Sequence, residues 1–225
     1  MTITYHTDIV QGDDAWYSVR RGVLTASEMK LIITPTLKVA DNEKTRSHAY
    51  ELLAQRITGY TEPRYVSDDM LRGQSEEILA RAKYAETYAP VEEVGFVTNY
   101  GFGFTIGYSP DGLVGDDGLL ECKSRCQKYQ IQTLTDMTVP DEYVLQLQTG
   151  LLVTGRQWID FVSYCGGLPM VTIRVEPNPT IQAAILEAAE NFEAKVAQKM
   201  AVYRAVMASG ARLVPTERVV LQEIF

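Results

Sequence analysis

One stretch constrains the fold more than any other: residues 106–123, Ile-Gly-Tyr-Ser-Pro-Asp-Gly-Leu-Val-Gly-Asp-Asp-Gly-Leu-Leu-Glu-Cys-Lys. Its first half contains Ser109-Pro-Asp-Gly112, which has the composition of a tight turn. Its middle contains Gly115-Asp-Asp-Gly118, which has the composition of a hairpin tip between two apolar segments. The stretch therefore predicts an acidic turn that leads into a short β-hairpin.

The predicted hairpin brings two carboxylates and an ammonium group together. Side chains alternate along a strand, so Glu121 and Lys123 share one face and Cys122 lies on the other. Counting back from a tip near Asp116 places Asp111 across from Glu121 or Cys122. Carboxylates suit Mg²⁺ or Mn²⁺, and a lysine beside them suits a water that must lose a proton. The hypothesis is a metal site that activates water.

A structural reading of the same residues is that the aspartates form turns and that Glu121 and Lys123 are a cross-strand surface pair. The spacing Asp-x9-Glu-x-Lys is a weak pattern by itself. The apolar residues on both sides of Glu121 indicate a partly buried strand, where these charges are costly unless they are used together. This context favours the functional interpretation.

The length of 225 residues suits one domain with a sizeable core. We expect an N-terminal helical part at about 1–66, a core that carries the hairpin at about 67–176, and a C-terminal helix at about 178–209. No apolar run reaches the roughly 20 residues of a membrane span, and the first residues lack the basic and apolar regions of a signal peptide. We therefore expect a soluble, cytoplasmic protein that has no contact with a membrane.

Composition argues against several classes of site. Three cysteines are too few for the four ligands of an iron–sulfur cluster, and an odd number argues against a disulfide framework. The two histidines, His6 and His48, are far from the hairpin, which argues against a zinc hydrolase or a Ser-His-Asp site. The net charge of -8 argues against nonspecific coating of nucleic acid but permits a local positive groove.

The rest of the chain predicts an α/β fold. Residues 12–32 indicate two short helices broken at Gly22, with Thr25 and Glu28 as a capping box for the second. Apolar periodicity and helix-stop signals predict further helices at residues 45–58, 70–88, 127–135, 140–153 and 180–207. β-Branched and aromatic alternation predicts strands at residues 91–98, 102–108, 157–165 and 169–175.

Several polar residues outside the hairpin allow two interpretations. Ser27 falls in the first turn of the second short helix, where free backbone N–H groups attract anions, or it is simply part of a helix cap. Glu77 lies on the helix at 70–88, where it is either solvated or functional. Gln146 and Gln148 are two residues apart and cannot share one helical face, so at least one of them lies near solvent or a site.

The predicted order of helix, three strands, helix and strand, with Asp before the motif hairpin and Glu-x-Lys on the third strand, resembles the PD-(D/E)xK nuclease fold. That fold has a mixed central β-sheet flanked by helices. Within this class, the chain resembles the lambda-exonuclease-type phage recombination nucleases, the YqaJ family. The matching motifs are Gly12-Asp-Asp-Ala-Trp16, Arg20 with Gly22-Val-Leu-Thr-Ala-Ser27, Arg72-Gly73-x3-Glu77, Ser109-Pro-Asp-Gly-Leu113, Leu120-Glu-Cys-Lys123 and Gln146-x-Gln148.

The resemblance implies a 5'-to-3' exonuclease that digests linear double-stranded DNA to mononucleotides and leaves a 3' single strand for recombination. It implies Mg²⁺ as cofactor, with Mn²⁺ as a substitute, a ring-shaped homotrimer around the DNA, and a single-strand annealing protein as partner in the bacterial host cytoplasm. Its implied site consists of Asp111, Glu121 and the Cys122 backbone carbonyl as metal ligands, Lys123 beside the attacking water, Glu77 and Gln146 completing the active site, and Arg20 and Ser27 at the terminal phosphate.

The chain departs from this pattern at one position. Lambda exonuclease carries an additional acidic residue ten positions before the motif aspartate, where this chain has Gly101, with Asn99 as the nearest polar group. The number of metal ions is therefore open.

Two alternatives remain from the sequence. One is another PD-(D/E)xK nuclease, either an endonuclease or a single-strand exonuclease, which would share the metal site. The other is a noncatalytic scaffold that binds DNA ends during recombination, against which the intact Asp111, Glu121 and Lys123 argue. Cleavage of a covalently closed plasmid distinguishes the first, and binding of duplex ends without nucleotide release distinguishes the second.

Overall fold

The computed structural model describes residues 2–63 and 67–218, without the side chains of residues 68–70. Its strands are β1 (Ile3–His6), β2 (Leu24–Thr25), β3 (Phe96–Asn99), β4 (Ile106–Tyr108), β5 (Gly112–Val114), β6 (Gly118–Ser124), β7 (Trp158–Tyr164) and β8 (Val171–Val175). Its helices are α1 (Asp14–Arg20), a 3₁₀ helix (Ala26–Leu31), α2 (Glu43–Thr58), α3 (Asp68–Thr87), α4 (Gln127–Asp136), α5 (Asp141–Thr154) and α6 (Pro179–Ala208).

The described strands form two mixed four-stranded sheets. The first has the order β1-β3-β4-β2, in which only the β2–β4 pair is parallel. The second has the order β5-β6-β7-β8, in which only the β6–β7 pair is parallel. The predicted fold class, a mixed sheet arrangement flanked by helices, is confirmed, and the strands are divided between two sheets.

The two faces of β6 are buried against different partners. Leu120 and Cys122 belong to a small apolar cluster with Ala80 and Tyr84 of α3, which packs on β6 and β7. Leu119, on the opposite face, belongs to the large core that also contains residues of α5 and α6. Alternation along the strand places Glu121 with Leu119, so its carboxylate points away from Cys122, as predicted.

The ends of the N-terminal helices follow the predicted capping chemistry. The Asp13 side chain accepts a hydrogen bond from the backbone N–H of Trp16 at the start of α1. Thr25 and Glu28 form the predicted capping box. The element that they cap is a six-residue 3₁₀ helix instead of the expected α-helix, because Leu24 and Thr25 before it pair with β4 as a strand. The sequence also gave no indication of β1.

The later elements lie close to the predicted positions. The bounds of α3 and of α6 agree to within about two residues with the helices predicted at residues 70–88 and 180–207. The strand expected at 91–98 is shorter and starts only at Phe96. Trp16 of α1 is only partly buried. Residues 219–225 lie outside the described residues.

The cysteines are all free thiols, with Cys122 and Cys165 buried and Cys126 exposed. Across residues 2–63 and 67–218, no helix is long and apolar enough to cross a membrane.

Candidate active site

Glu121 is the centre of a buried hydrogen-bond network. Its side chain is 1% exposed. One carboxylate oxygen, Oε1, accepts from Lys123 Nζ at 2.5 Å and from Gln146 Nε2 at 2.5 Å. The other, Oε2, accepts from the Tyr108 hydroxyl at 2.6 Å. A buried carboxylate needs such donors, so residues of β4, β6 and α5 together hold Glu121 in one orientation.

The β5–β6 register places Asp111 beside Glu121. Gly112 pairs with Leu120, and the Asp111 backbone N–H donates to the Leu120 carbonyl at 3.1 Å. The Asp111 side chain accepts from the Cys122 backbone N–H at 2.5 Å. The count from the hairpin tip placed Asp111 across from Glu121 or Cys122. It is correct, because Asp111 bonds to the backbone of the residues on either side of Glu121, Leu120 and Cys122.

The turn that carries Asp111 is held from two sides. Arg81 of α3 donates to the Asp111 carbonyl at 3.1 Å, and Gln11 donates to the Pro110 carbonyl at 2.8 Å. The Ser109 hydroxyl accepts from the Trp16 indole at 2.9 Å and from the Arg20 guanidinium at 2.9 Å. These contacts attach the turn to α1 and α3, so its backbone position depends on elements far away in the sequence.

Glu77 of α3 is adjacent to the same carboxylates. Its carboxylate lies 3.6 Å from the Arg81 guanidinium and close enough to Asp111 and Glu121 for their charges to interact. Burial raises its pKa above the usual range, Arg81 acts in the opposite direction, and the Glu121 charge adds to the increase. The predicted residues Asp111, Glu121, Lys123, Glu77 and Gln146 thus come together in space.

The electrostatics of the site favour a cation. Burial raises the pKa of Asp111 well above its usual range, and repulsion from Glu121 and Glu77 raises it further. Burial alone would lower the pKa of Lys123, but the Glu121 and Asp111 carboxylates outweigh burial and raise it. The two carboxylates therefore hold Lys123 as an ammonium ion.

The donor set fits Mg²⁺ better than a metal that needs a full set of protein ligands. Among the residues that the structure describes, no group of three or more His, Cys, Asp or Glu side chains forms a ready metal site. Mg²⁺ is usually bound by one or two carboxylates together with waters and substrate phosphates. Asp111 and Glu121 meet that requirement. Their negative charges repel each other, and a cation bound between them would relieve this repulsion.

Arg20 and Ser27 occupy different positions relative to this site. Arg20 is in contact with Ser109, two residues before Asp111, and its guanidinium lies 4.1 Å above the Trp16 ring. Ser27 is exposed in the 3₁₀ helix, with its hydroxyl 3.4 Å from that of Thr25. The nearby Glu28 carboxylate already accepts from the Thr25 backbone and hydroxyl.

The short 3₁₀ helix also changes the expected anion site. Six residues give few aligned peptide dipoles, and Glu28 occupies donors that an anion would use. Of the two residues expected at the terminal phosphate, Arg20 therefore has the better-placed donor.

Gly101 stands where lambda exonuclease has an additional acidic residue, and the nearby Asn99 does not take over that role. Its side chain is fully buried, donates to the Val153 carbonyl and accepts from the Gly101 backbone N–H. Asn99 therefore stabilises the β3 turn and the end of α5. Gln148 is likewise structural, because it donates to the Glu176 carbonyl and accepts from the Asn178 backbone.

Sequence reasoning missed two residues of the network, Tyr108 and Arg81. Tyr108 lay only in the strand expected at residues 102–108, and Arg81 only in the helix expected at residues 70–88. A usable signal existed for Arg81, which is one helical turn after Glu77 and so lies on the same face of α3. Tyr108 reaches Glu121 across the boundary between the two sheets, which no local pattern reveals.

Comparison with known proteins identifies the family to which the chain belongs. Residues 15–157 match the YqaJ-like viral recombinase domain. LHK-Exo, an alkaline exonuclease from Laribacter hongkongensis, has a similar structure, with a TM-score of 0.79, 33% identity, and coverage of 88% of this chain and 100% of that chain. A structure of LHK-Exo in complex with dAMP gives the same values.

A more distant structure supports the fold alone. A phage-related exonuclease from Haemophilus somnus matches with a TM-score of 0.54 and 12% identity, covering 81% of this chain and 98% of that chain. No match was found among curated protein sequences.

Fold and site together define a nuclease of the PD-(D/E)xK class. The chain belongs to the YqaJ-like viral recombinase family, and it is an exonuclease of the YqaJ and alkaline-exonuclease type. The resemblance drawn from the sequence motifs is thereby confirmed.

Proposed function

We propose that this protein is a Mg²⁺-dependent exonuclease that digests linear double-stranded DNA from the 5' end to mononucleotides and leaves a 3' single strand for recombination. The observation that carries the proposal is the cluster of Asp111, Glu121 and Glu77 beside the Lys123 ammonium. We take residues 1–225 as one nuclease domain acting in the cytoplasm of a bacterial host.

Asp111 and Glu121 would hold the metal, with the Cys122 backbone carbonyl as a further ligand. A bound Mg²⁺ ion supplies a water of lowered pKa and charge neutralisation on the phosphate oxygens. Tyr108 and Gln146 keep the Glu121 carboxylate in place through their hydrogen bonds. The chain thereby fixes the position of its ligands before DNA binds.

Lys123 would act as a hydrogen-bond donor to the attacking water or to a nonbridging phosphate oxygen. Its side chain is 24% exposed, so its ammonium is accessible from solvent although it is paired with Glu121. Glu77, with its raised pKa, is placed to accept a proton near the same position. Water attacks phosphorus and the bond to the 3' oxygen breaks, so the shortened strand keeps a 5' phosphate.

Arg20 would bind the terminal 5' phosphate and so set the direction of digestion, with Ser27 as a secondary contact. Arginine can hold a phosphate through two parallel charge-assisted hydrogen bonds. The contact from Arg20 to Ser109 supports this role, because it places the guanidinium next to the turn that carries Asp111.

A ring-shaped homotrimer would keep the enzyme on DNA. The net charge of -8 offers little nonspecific attraction to a polyanion, so enclosure of the DNA would replace it. A single-strand annealing protein would then take up the exposed 3' strand. Light scattering at micromolar concentration should give about three times the monomer mass, whereas a monomer that digests processively would contradict the ring.

The substrate is tested with linear duplex labelled at either end, in Mg²⁺, with a covalently closed plasmid in parallel. The proposal predicts early release of the 5' label as a mononucleotide, late release of the 3' label and an intact plasmid. A cut plasmid would show an endonuclease, and early release of the 3' label would show the opposite polarity.

A further inference from the structure

Arg125 comes directly after the strand that carries the active site, and it is buried although it is charged. It lies two residues after Lys123, and its side chain is 5% exposed. Its backbone N–H donates to the Tyr164 carbonyl at 2.7 Å, so the bonding between β6 and β7 continues past the end of β6 and fixes this residue. A buried charge is costly unless it is paired, so the partners of this guanidinium are informative.

The Arg125 guanidinium bonds to two neighbouring residues of α5. Its Nη1 donates to the Glu142 carboxylate at 2.8 Å and to the Tyr143 hydroxyl at 2.8 Å. Glu142 is 57% exposed, so water screens that ion pair. Tyr143 instead packs against the large core, where its ring centroid lies 5.5 Å from that of Phe161. Arg125 and Phe161 therefore hold the Tyr143 ring in one position.

The Tyr143 ring is close to two cations. Its centroid is 5.3 Å from the Arg125 guanidinium carbon and 5.6 Å from Lys123 Nζ. A cation within about 6 Å of the centroid of an aromatic ring is attracted to its face. Tyr143 also lies about one helical turn before Gln146, whose amide donates to the same Glu121 oxygen as Lys123. One face of α5 thus supplies both a ring and an amide to this part of the site.

We propose that Tyr143, held by Arg125, positions the Lys123 ammonium beside Glu121. The inference rests on the proposed function, in which Lys123 donates to the attacking water or to the phosphate. The Lys123 side chain is 24% exposed and has a flexible four-carbon stem, so its ammonium could otherwise turn toward solvent. Contact with the ring favours the position in which the ammonium bonds to Glu121. Tyr143 acts through Lys123 and is a positioning residue.

Replacing the ring should slow the chemical step and leave binding unchanged. Loss of one cation–π contact corresponds to a roughly 2- to 30-fold change in a rate. Tyr143→Leu removes the ring but keeps an apolar side chain, so kcat should fall roughly 2- to 30-fold. The KM for linear duplex and the affinity for Mn²⁺ should stay as in wild type. A role confined to stability would leave kcat of the folded enzyme unchanged.

Further variants separate the ring from its support. Tyr143→Phe keeps the ring and loses the bond to Arg125, so it should slow cleavage less than Tyr143→Leu. Arg125→Met breaks the same bond, so combining it with Tyr143→Phe should be no slower than Arg125→Met alone. Tyr129→Leu is the matched control, because that ring lies 5.0 Å from the same guanidinium and contacts Lys128 instead of Lys123. It should cleave like wild type.

The contact is also tested without DNA, by urea unfolding of wild type, Lys123→Met, Tyr143→Leu and the double variant. If the ammonium and the ring interact, the double variant should lose less stability than the two single variants together, by roughly 2- to 30-fold in the unfolding equilibrium constant. Additive losses, or cleavage by Tyr143→Leu at the wild-type rate, would overturn the inference and leave the nuclease function standing. Coupled losses in a protein that digests no DNA would keep the contact between Tyr143 and Lys123 and reject the proposed function.

Discussion

Replacing Tyr108 with phenylalanine probes the network that holds Glu121. The Tyr108 ring is 1% exposed, and its hydroxyl donates to Glu121 Oε2 at 2.6 Å. Lys123 and Gln146 both donate to the other oxygen, so the variant leaves Oε2 without this donor inside the protein. Burial and the Glu121 charge raise the pKa of Tyr108, so the hydroxyl is protonated and able to donate at neutral pH.

A hydrogen bond to a charged group contributes about 1.5 to 3 kcal/mol. Tyr108→Phe should therefore lower the free energy of unfolding by about 1.5 to 3 kcal/mol, which corresponds to a fall in Tm of about 3 to 12 °C for a chain of this size. The ring and its packing stay, so the loss reports the hydroxyl. Urea unfolding of wild type and variant measures it, with the exposed Tyr100→Phe as control.

A second substitution perturbs the same contact from α5. A Cβ added at Gly150 would lie 2.8 Å from the Tyr108 ring, so Gly150→Ala should displace the ring and slow cleavage while costing about 1 to 3 kcal/mol of stability. Gly73→Ala is the control, since nothing lies within 4 Å of its added Cβ.

A change in unfolding free energy below about 0.5 kcal/mol for Tyr108→Phe would refute the reasoning, because surface substitutions give as much.

The remaining predictions concern the residues around Asp111. Lys123→Ala should abolish cleavage but keep most Mn²⁺ binding, whereas Asp111→Ala should weaken Mn²⁺ binding itself. Calorimetric titration with Mn²⁺ compares the two variants, and an equal loss of metal binding would argue against Asp111 as a metal ligand and Lys123 as a donor to water. Arg81→Ala should slow single-turnover cleavage roughly 10- to 150-fold, because it removes a charge-assisted contact to the Asp111 carbonyl. Lys83→Ala, on the same helix and paired with Glu86, should cleave like wild type, and an equally slow Lys83→Ala would remove Arg81 from the site.

The sequence predicted the parts of the site that depend on local geometry. The hairpin tip fixes the register of β5 and β6, and strand alternation fixes which face carries Glu121. Helical spacing indicated only that at least one of Gln146 and Gln148 lies near solvent or a site, and the family resemblance implied Gln146, which bonds to Glu121. Such relations extend over a few residues, so a pattern in the chain can indicate them.

The parts that the sequence did not predict depend on tertiary packing. β2 has only two residues, and its pairing with β4 turns an expected α-helix into a 3₁₀ helix. The raised pKa of Lys123 follows from two carboxylates in a buried site, which outweigh desolvation. The bonds from the Trp16 indole to the Gly95 carbonyl and the Ser109 hydroxyl likewise join segments that are far apart in the sequence.

The central claim is that the Asp111 and Glu121 carboxylates serve a metal-dependent hydrolysis of DNA ends. The most direct measurement is single-turnover release of a 5'-terminal label from linear duplex by wild type and by Asp111→Asn, each with Mg²⁺ and with excess EDTA. Wild type should release labelled mononucleotide only in Mg²⁺, and Asp111→Asn should release almost none while still folding. Release by wild type in EDTA, or release by Asp111→Asn at the wild-type rate, would contradict the account.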